Sequence, residues 1–183
     1  GTQSFFEEDL RLMNRAHNAG QAEDSIKRAQ DFGFENLSID LIYGSPTSNF
    51  EIWKENLQKT IELQVPHVSS YALTIEPKTA LNAWIKKNKI SKPEESTQNK
   101  EFYYLSDFLK DNGFLHYEIS NFAKKDFESK HNSAYWKYKE YLGIGPSAHS
   151  YNGRNERSWN VANNTKYIKN LAENILPKET EIL

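Results

Sequence analysis

One alternation constrains this chain more than any other feature: a strand signal, a helix signal and a second strand signal in direct succession. "NLSIDLIYG" alternates apolar residues and ends in a glycine turn. "NFEIWKENLQKTIELQ" repeats Phe50, Trp53, Leu57 and Ile61 along one helical face, and "HVSSYALTI" follows Pro66 as a second strand. A helix inserted between two strands leaves room for a crossover and not for a hairpin, so the strands should run parallel. The pattern predicts strands near 37–43 and 67–75 joined by a helix over 49–63. Further helices are predicted in "FFEEDLRLMNRA", "EDSIKRAQDFG", "TALNAWIKKNK" and "ESTQNKEFYYLSDFLKDNG", with Gly33 and Gly113 as stops. The fold class is α/β, with parallel strands and outer helices.

The first strand carries a second message. Leu37, Ile39, Leu41 and Tyr43 share one face, while Ser38, Asp40 and Ile42 share the other. An open doubly wound sheet packs helices on both faces and wants both apolar. A carboxylate on one face fits a barrel-like sheet with a polar interior. A solvated edge strand would give the same pattern, and both readings stand at this point. Ser70, Ala72 and Thr74 on the next strand are small and partly polar, as an interior face would require.

Beyond residue 114 the alternation fades. "FLHYEISNFA" reads as one more strand, and "YLGIGPSAHSY" as a glycine-punctuated strand or loop. "NNTKYIKNLAENI" reads as a helix with Asn164 as N-cap. The expected division is 1–113, then a continuation over 114–183 packed on the same core. Both ends break the pattern abruptly, so the sequence reads as a fragment.

Composition removes several function classes. Lys plus Arg number 23 and Asp plus Glu 25, for a net charge of -2. Nothing there attracts nucleic acid or an anionic membrane surface. No apolar run approaches the roughly 18 residues of a membrane span, so a cytoplasmic location is expected. The chain has no cysteine, which excludes disulfides, thiolate metal sites and iron–sulfur ligation by this stretch. No metal-ligand spacing, nucleophile elbow or phosphate-cradling loop appears.

Candidate binding residues gather at the C-terminal ends of the strands. Gln3, Arg15 and Asp40 would bring an amide, a guanidinium and a carboxylate to one rim, a set suited to a zwitterionic amino acid or a nucleoside. Arg15 and Asp40 could equally pair with each other. In "HNSAYW", His131 stands ahead of Tyr135 and Trp136, and could be a metal ligand, a catalytic base or a packed histidine. His116 and His149 fall in the same tyrosine-rich region.

"TQSFFEEDLRLMNRAH", "SIDLIYGSP", "SSYALTIEP", "HYEISNFA", "HNSAYW" and "YLGIGPSAHSY" resemble, in order, successive blocks of the oxygen-independent coproporphyrinogen III oxidase-like proteins. These are radical S-adenosylmethionine (SAM) proteins. The resemblance implies the second half of a partial six-stranded (β/α) barrel with a mixed C-terminal extension. It implies SAM contacts by Gln3, Arg15, Asp40 and Ala72. The family's [4Fe–4S] cluster motif, Cys-x3-Cys-x2-Cys, is missing from this sequence, so the fragment alone is expected to be inactive. A second departure is "GSPTSN", where the family more often has Gly-Leu-Pro-Gly.

His-Asn-x-x-Tyr-Trp marks the haem-chaperone (HemW-like) branch. The resemblance therefore implies haem binding, with His131 as axial ligand and Asn132, Tyr135 and Trp136 around it; His149 is the competing ligand. Two functions remain: haem delivery to acceptor proteins, and oxidative decarboxylation of coproporphyrinogen III. Haem or porphyrin and haem-acceptor proteins are the expected partners. A second copy covering the open strand edge and a peripheral membrane association of the full-length protein are further expectations.

Overall fold

The computed structural model describes residues 1–47 and 49–183, which form two compact units, Gly1–Glu128 and Ser129–Leu183. The first contains α1 (Glu7–Leu12), α2 (Ala19–Asp31), β1 (Ser38–Tyr43), α3 (Phe50–Glu62), β2 (His67–Ala72), α4 (Ala80–Lys86), α5 (Glu95–Asp111), β3 (Leu115–His116) and β4 (Asn121–Ala123). The second contains α6 (Lys130–Trp136), β5 (His149–Tyr151), β6 (Glu156–Asn160), α7 (Asn164–Ala172) and β7 (Lys178–Ile182).

Local chemistry sets the helix ends. Asn18 and Gln21 form a reciprocal capping box at the start of α2, and the Asn49 side chain accepts from the Ile52 amide at the start of α3. Gly33 and Gly113 take positive φ just past α2 and α5, where a side chain would be strained. α7 is capped by Asn163, whose Oδ1 accepts from the Lys166 amide at 2.9 Å, and not by Asn164. Either asparagine could cap; the helix begins where Asn163 leaves extended geometry.

β1 and β2 pair in parallel, with Ile39 beside Val68 and Asp40 beside Ser69. This is the predicted strand–helix–strand unit. One face of the pair carries the core. Ile39, Leu41 and Val68 meet Trp53 and Leu57 of α3 and Leu105 and Leu109 of α5. Leu41, Leu57, Val68, Leu105 and Leu109 are fully buried at 0% exposure. Each such side chain contributes about 1.5–3 kcal/mol by leaving water.

The sheet is mixed, in the order β1-β2-β4-β3, because "FLHYEISNFA" is a hairpin and not one strand. Glu118 at its tip accepts from the Ser120 amide and the Asn121 side chain, which turns the chain back. The β4 arm is buried and β3 is exposed, with His116 stacked on Phe122 at 4.1 Å. β4 pairs antiparallel with β2. That pairing places residues 114–128 with the first unit, so the division falls after Glu128 and not at 113.

The second unit is built on an antiparallel sheet in the order β5-β6-β7. β7, "KETEI", has a strongly polar sequence and carries no strand signal of its own; pairing with β6 along its length makes it a strand.

Candidate functional site

The main chain at Gln3 lies beside β1 as a further parallel bridge: Gln3 N donates to Asp40 O at 2.7 Å, and Ile42 N donates to Gln3 O at 2.9 Å. Gln3 is non-glycine yet has φ 65, a costly conformation of the kind stored at functional sites. Its Oε1 accepts from Arg15 Nη2 at 2.8 Å. A Cβ placed on Gly1 would lie 2.2 Å from Gln3 Nε2 and 3.1 Å from Asp40 Oδ2. The amide and the carboxylate therefore close on one point, with the guanidinium attached through the amide. Among the described residues Arg15 and Asp40 form no ion pair, so the Asp40 carboxylate keeps its acceptor capacity.

Ala72 is placed differently. It registers with Tyr43, and Ser70 with Leu41. Both sit on the helix-covered face, opposite Asp40, which corrects the expectation that Ser70 and Ala72 line the polar side. The polar side of β2 is instead His67 and Ser69. Choosing the wrong alternate residues follows from reading each strand alone, since only the register fixes which set shares a face with Asp40.

A polar layer spreads across that face. Ser69 Oγ donates to Asn121 Oδ1 at 2.5 Å, and Asn121 Nδ2 donates to Glu118. His67 Nδ1 and Nε2 lie 2.7 Å from Ser38 Oγ and 2.7 Å from Tyr117 OH. Burial holds His67 below the ordinary histidine range, against the opposing pull of Asp40 and Glu118. The ring is neutral at neutral pH and bridges two hydroxyls. Sequence reasoning missed this layer, although alternation of His67 with Ser69 was its signal.

The loops at the strand ends are pinned from beneath. Glu101, 1% exposed, accepts from the Gly44 amide at 2.6 Å. Gln98, one turn earlier on α5, donates to Leu73 O at 3.1 Å. Gly44 has φ 77, and a Cβ there would lie 2.5 Å from Gln98. Thr47 Oγ1 donates to Asp9 Oδ1 at 2.8 Å. Burial pushes the Glu101 carboxyl up, more than the Gly44 amide pulls it down. Of the "GSPTSN" loop, Ser48 lies outside the described residues.

In the second unit α6 spreads "HNSAYW" over more than one face. His131 and Tyr135 are four residues apart and meet: Tyr135 OH lies 3.0 Å from His131 Nε2, with the rings edge to face at 4.9 Å. Asn132 and Trp136 sit one position further round, and Trp136 is exposed. The ring row continues from Tyr135 to Tyr141 at 4.8 Å and to Tyr151 at 6.1 Å. His149 faces Trp159 across the β5–β6 pair, with centroids 6.0 Å apart. The structure thus brings Gln3, Arg15 and Asp40 together, and His131 with Tyr135, and sets Ala72, Asn132 and Trp136 apart from those groups.

No protein-family model matches the chain. It is 40% identical over 151 residues to the heme chaperone HemW of Lactococcus lactis, covering 82% of this chain and 40% of that protein. It is 34% identical over 177 residues to the heme chaperone HemW of Bacillus subtilis, covering 97% and 46%. The mouse mitochondrial radical S-adenosyl methionine domain-containing protein 1 is 36% identical over 149 residues, 81% of this chain and 34% of that one. Among solved structures, coproporphyrinogen III oxidase (HemN) of Escherichia coli, described as a radical SAM enzyme, superposes with a TM-score of 0.79. It covers 99% of this chain and 44% of that chain at 23% identity, which establishes a shared fold. The chain spans less than half the length of the curated relatives it matches.

Proposed function

Because the chain belongs, over the portion it spans, to the HemW-like radical SAM family, we propose that its parent protein binds haem and delivers it to haem-requiring proteins. The observation that carries this is the agreement of the relatives: chains 32–40% identical across most of this sequence bear the haem-chaperone name. The second unit gives the reading its chemistry. Haem iron takes an imidazole nitrogen, and the macrocycle favours aromatic walls; His131 and His149 lie there among Tyr135, Trp136, Tyr141, Tyr151 and Trp159. Asn132 shares the Trp136 side of α6.

The first unit is read as the second half of a partial (β/α) barrel, with its polar layer as the interior wall. Its residues fit SAM at the rim. The Asp40 carboxylate is open to accept from ribose hydroxyls or an ammonium, and Arg15, held on Gln3, is placed to meet a carboxylate. Ala72, with its side chain on the helix side, would contribute main-chain contacts. When bound, SAM supplies a sulfonium whose cleavage requires an electron from an iron–sulfur cluster. These residues do not fit the cluster, since the chain offers no thiolate. Chemistry requiring it depends on ligands outside these 183 residues.

The alternative, oxidative decarboxylation of coproporphyrinogen III, has the HemN likeness on its side, and at 23% identity that likeness speaks for the fold. No described helix is long and apolar enough to cross a membrane; a cytoplasmic site of action and transient docking with acceptor proteins, a second copy or a membrane surface belong to the proposal.

The full-length protein distinguishes the two readings. Saturable haemin binding at a defined Soret band, with no turnover of coproporphyrinogen III in the presence of SAM and reductant, is expected. Turnover without haemin binding would replace the carrier with the oxidase. In the same protein, Arg15→Ala and Asp40→Ala should each weaken SAM about tenfold, the loss of one charge-assisted contact. Unchanged calorimetric affinity would remove the SAM assignment.

A further inference from the structure

The strand-end rim hangs on a strained turn. Ser4 N donates to Thr2 O at 2.8 Å, closing a three-residue turn around Gln3, whose φ of 65 is the rare left-handed form. Such a conformation persists only where its surroundings over-determine it. Here those surroundings are side chains. Phe5 N donates to Asn56 Oδ1 at 2.7 Å, and Phe6 N donates to Ser4 Oγ at 3.1 Å. Ser4 Oγ in turn donates to Asp9 Oδ2 at 2.9 Å. Ser4 and Asn56 are each 1% exposed, so solvent does not compete for these bonds.

Asp9 reaches the other strand end as well. Its Oδ1 accepts from Thr47 Oγ1 at 2.8 Å, and Ser45 Oγ lies 2.8 Å from the same hydroxyl. Thr47 lies in the loop that follows β1, whose near end is pinned by Glu101 on Gly44. One carboxylate, 2% exposed, thus joins the turn bearing Gln3 to the loop that follows the Asp40 strand. Among the described residues no cation pairs with it. Burying a carboxylate without a cation is costly, and its hydrogen bonds must offset that. Those bonds are directional, so they fix the two segments relative to each other.

Thr47 makes the link particular to this chain. It stands at the last position of "GSPT", where the resembling family more often has the second glycine of Gly-Leu-Pro-Gly, and glycine has no hydroxyl to offer.

We propose that Asp9 is a positioning residue for the rim, locking the Gln3 turn to the β1 loop so that Arg15 and Asp40 stand at a fixed spacing for a zwitterionic nucleoside. The inference rests on the SAM reading of that rim and adds a residue that acts through Ser4 and Thr47, not on the ligand. Without Asp9 the Gln3 turn relaxes from its left-handed φ, and Gln3 Oε1 carries Arg15 away from the ligand carboxylate. Asp40 is held by regular pairing of β1 with β2 and depends on Asp9 less.

The test is calorimetric titration of the full-length protein with two probes, SAM and 5′-methylthioadenosine, a nucleoside without the amino-acid group; thermal melting checks folding. Asp9→Ala should weaken SAM about tenfold and 5′-methylthioadenosine by less than about threefold. Thr47→Val removes one hydroxyl at nearly constant shape and should weaken SAM about fivefold, while Thr47→Ser should keep wild-type affinity. Added to Asp9→Ala, Thr47→Val should weaken SAM no further, because the two break one link. If Asp9→Ala does not fold, the two Thr47 variants decide. A folded Asp9→Ala protein with wild-type SAM affinity, beside a weakened Arg15→Ala, overturns the inference and leaves the SAM reading standing. Equal weakening of both probes by Asp9→Ala, or Thr47→Ser as weak as Thr47→Val, overturns it too. If neither Arg15→Ala nor Asp40→Ala changes SAM affinity, the reading and the inference fall together.

Discussion

At the scale of single residues, two buried ionisable groups of opposite character decide how stability responds to pH. Glu101 is pushed up by burial, so the folded protein binds its proton more tightly than the unfolded chain does. Stability from this group is therefore full below the unfolded carboxyl range and is lost as pH rises from there through the raised folded-state value. His67 is pushed down by burial, so its contribution is full above the ordinary histidine range and is lost as pH falls from there through the lowered folded-state value. Glu101→Gln keeps an acceptor for the Gly44 amide without a charge to bury. It should raise the melting temperature at about pH 7 and flatten the fall in stability as pH rises above the ordinary carboxyl range. A variant that melts lower than wild type at neutral pH, with the same slope, would mean that Glu101 is held ionised by partners. The sequence offered no sign of this: a Glu in the polar-looking "NKEFYY" segment reads as solvent-facing until α5 is laid against β1.

At the scale of elements, the second sheet depends on one close backbone approach. Gly143→Ala would drive a methyl to 2.1 Å from the His149 carbonyl oxygen, against main chain that cannot rotate away. β5 must move, at a cost of about 1–3 kcal/mol for overpacking. Gly145→Ala meets nothing within 4 Å and suffers only its φ of 103, about 1–2 kcal/mol. Amide exchange should read the difference. Gly143→Ala should expose the Tyr141–Tyr151 bridge amides while leaving β1 and β2 protected, whereas Gly145→Ala should leave those bridge amides closed. Equal protection in the two variants would remove the packing argument. Glycines were visible in "GIGPS", but which one carries contact and which one carries conformation was not.

At the scale of the whole molecule, the large buried apolar side chains are in Gly1–Glu128; in Ser129–Leu183 the described buried residues are Ser158 and Pro177. The first unit has helices and a sheet around one core, and residues 1–128 expressed alone should unfold cooperatively, with Trp53 buried at 2% exposure as an internal reporter. Residues 129–183 pair their strands with little core beneath them, and a segment of that size is marginal without one. That piece alone should show no cooperative thermal transition. A sharp transition for it, with dispersed amide resonances, would mean that sheet pairing and the aromatic row suffice.

The sequence by itself determined the elements that local chemistry dictates. The period of Phe50, Trp53, Leu57 and Ile61 specifies α3 whatever it packs on, and the alternation of Ile39 and Leu41 with Asp40 specifies a two-faced strand. It also excluded a cluster ligated by this chain, since that needs thiolates and none is present. Only the tertiary structure decided which faces meet. Register set Ser69 and not Ser70 beside Asp40, turned "FLHYEISNFA" into a hairpin, made a strand of "KETEI", and brought His149 to Trp159. The physical reason is that side-chain periodicity is local to one segment, whereas strand register is a relation between two. Its energy comes from contacts between residues far apart in the chain, which no single stretch of sequence contains.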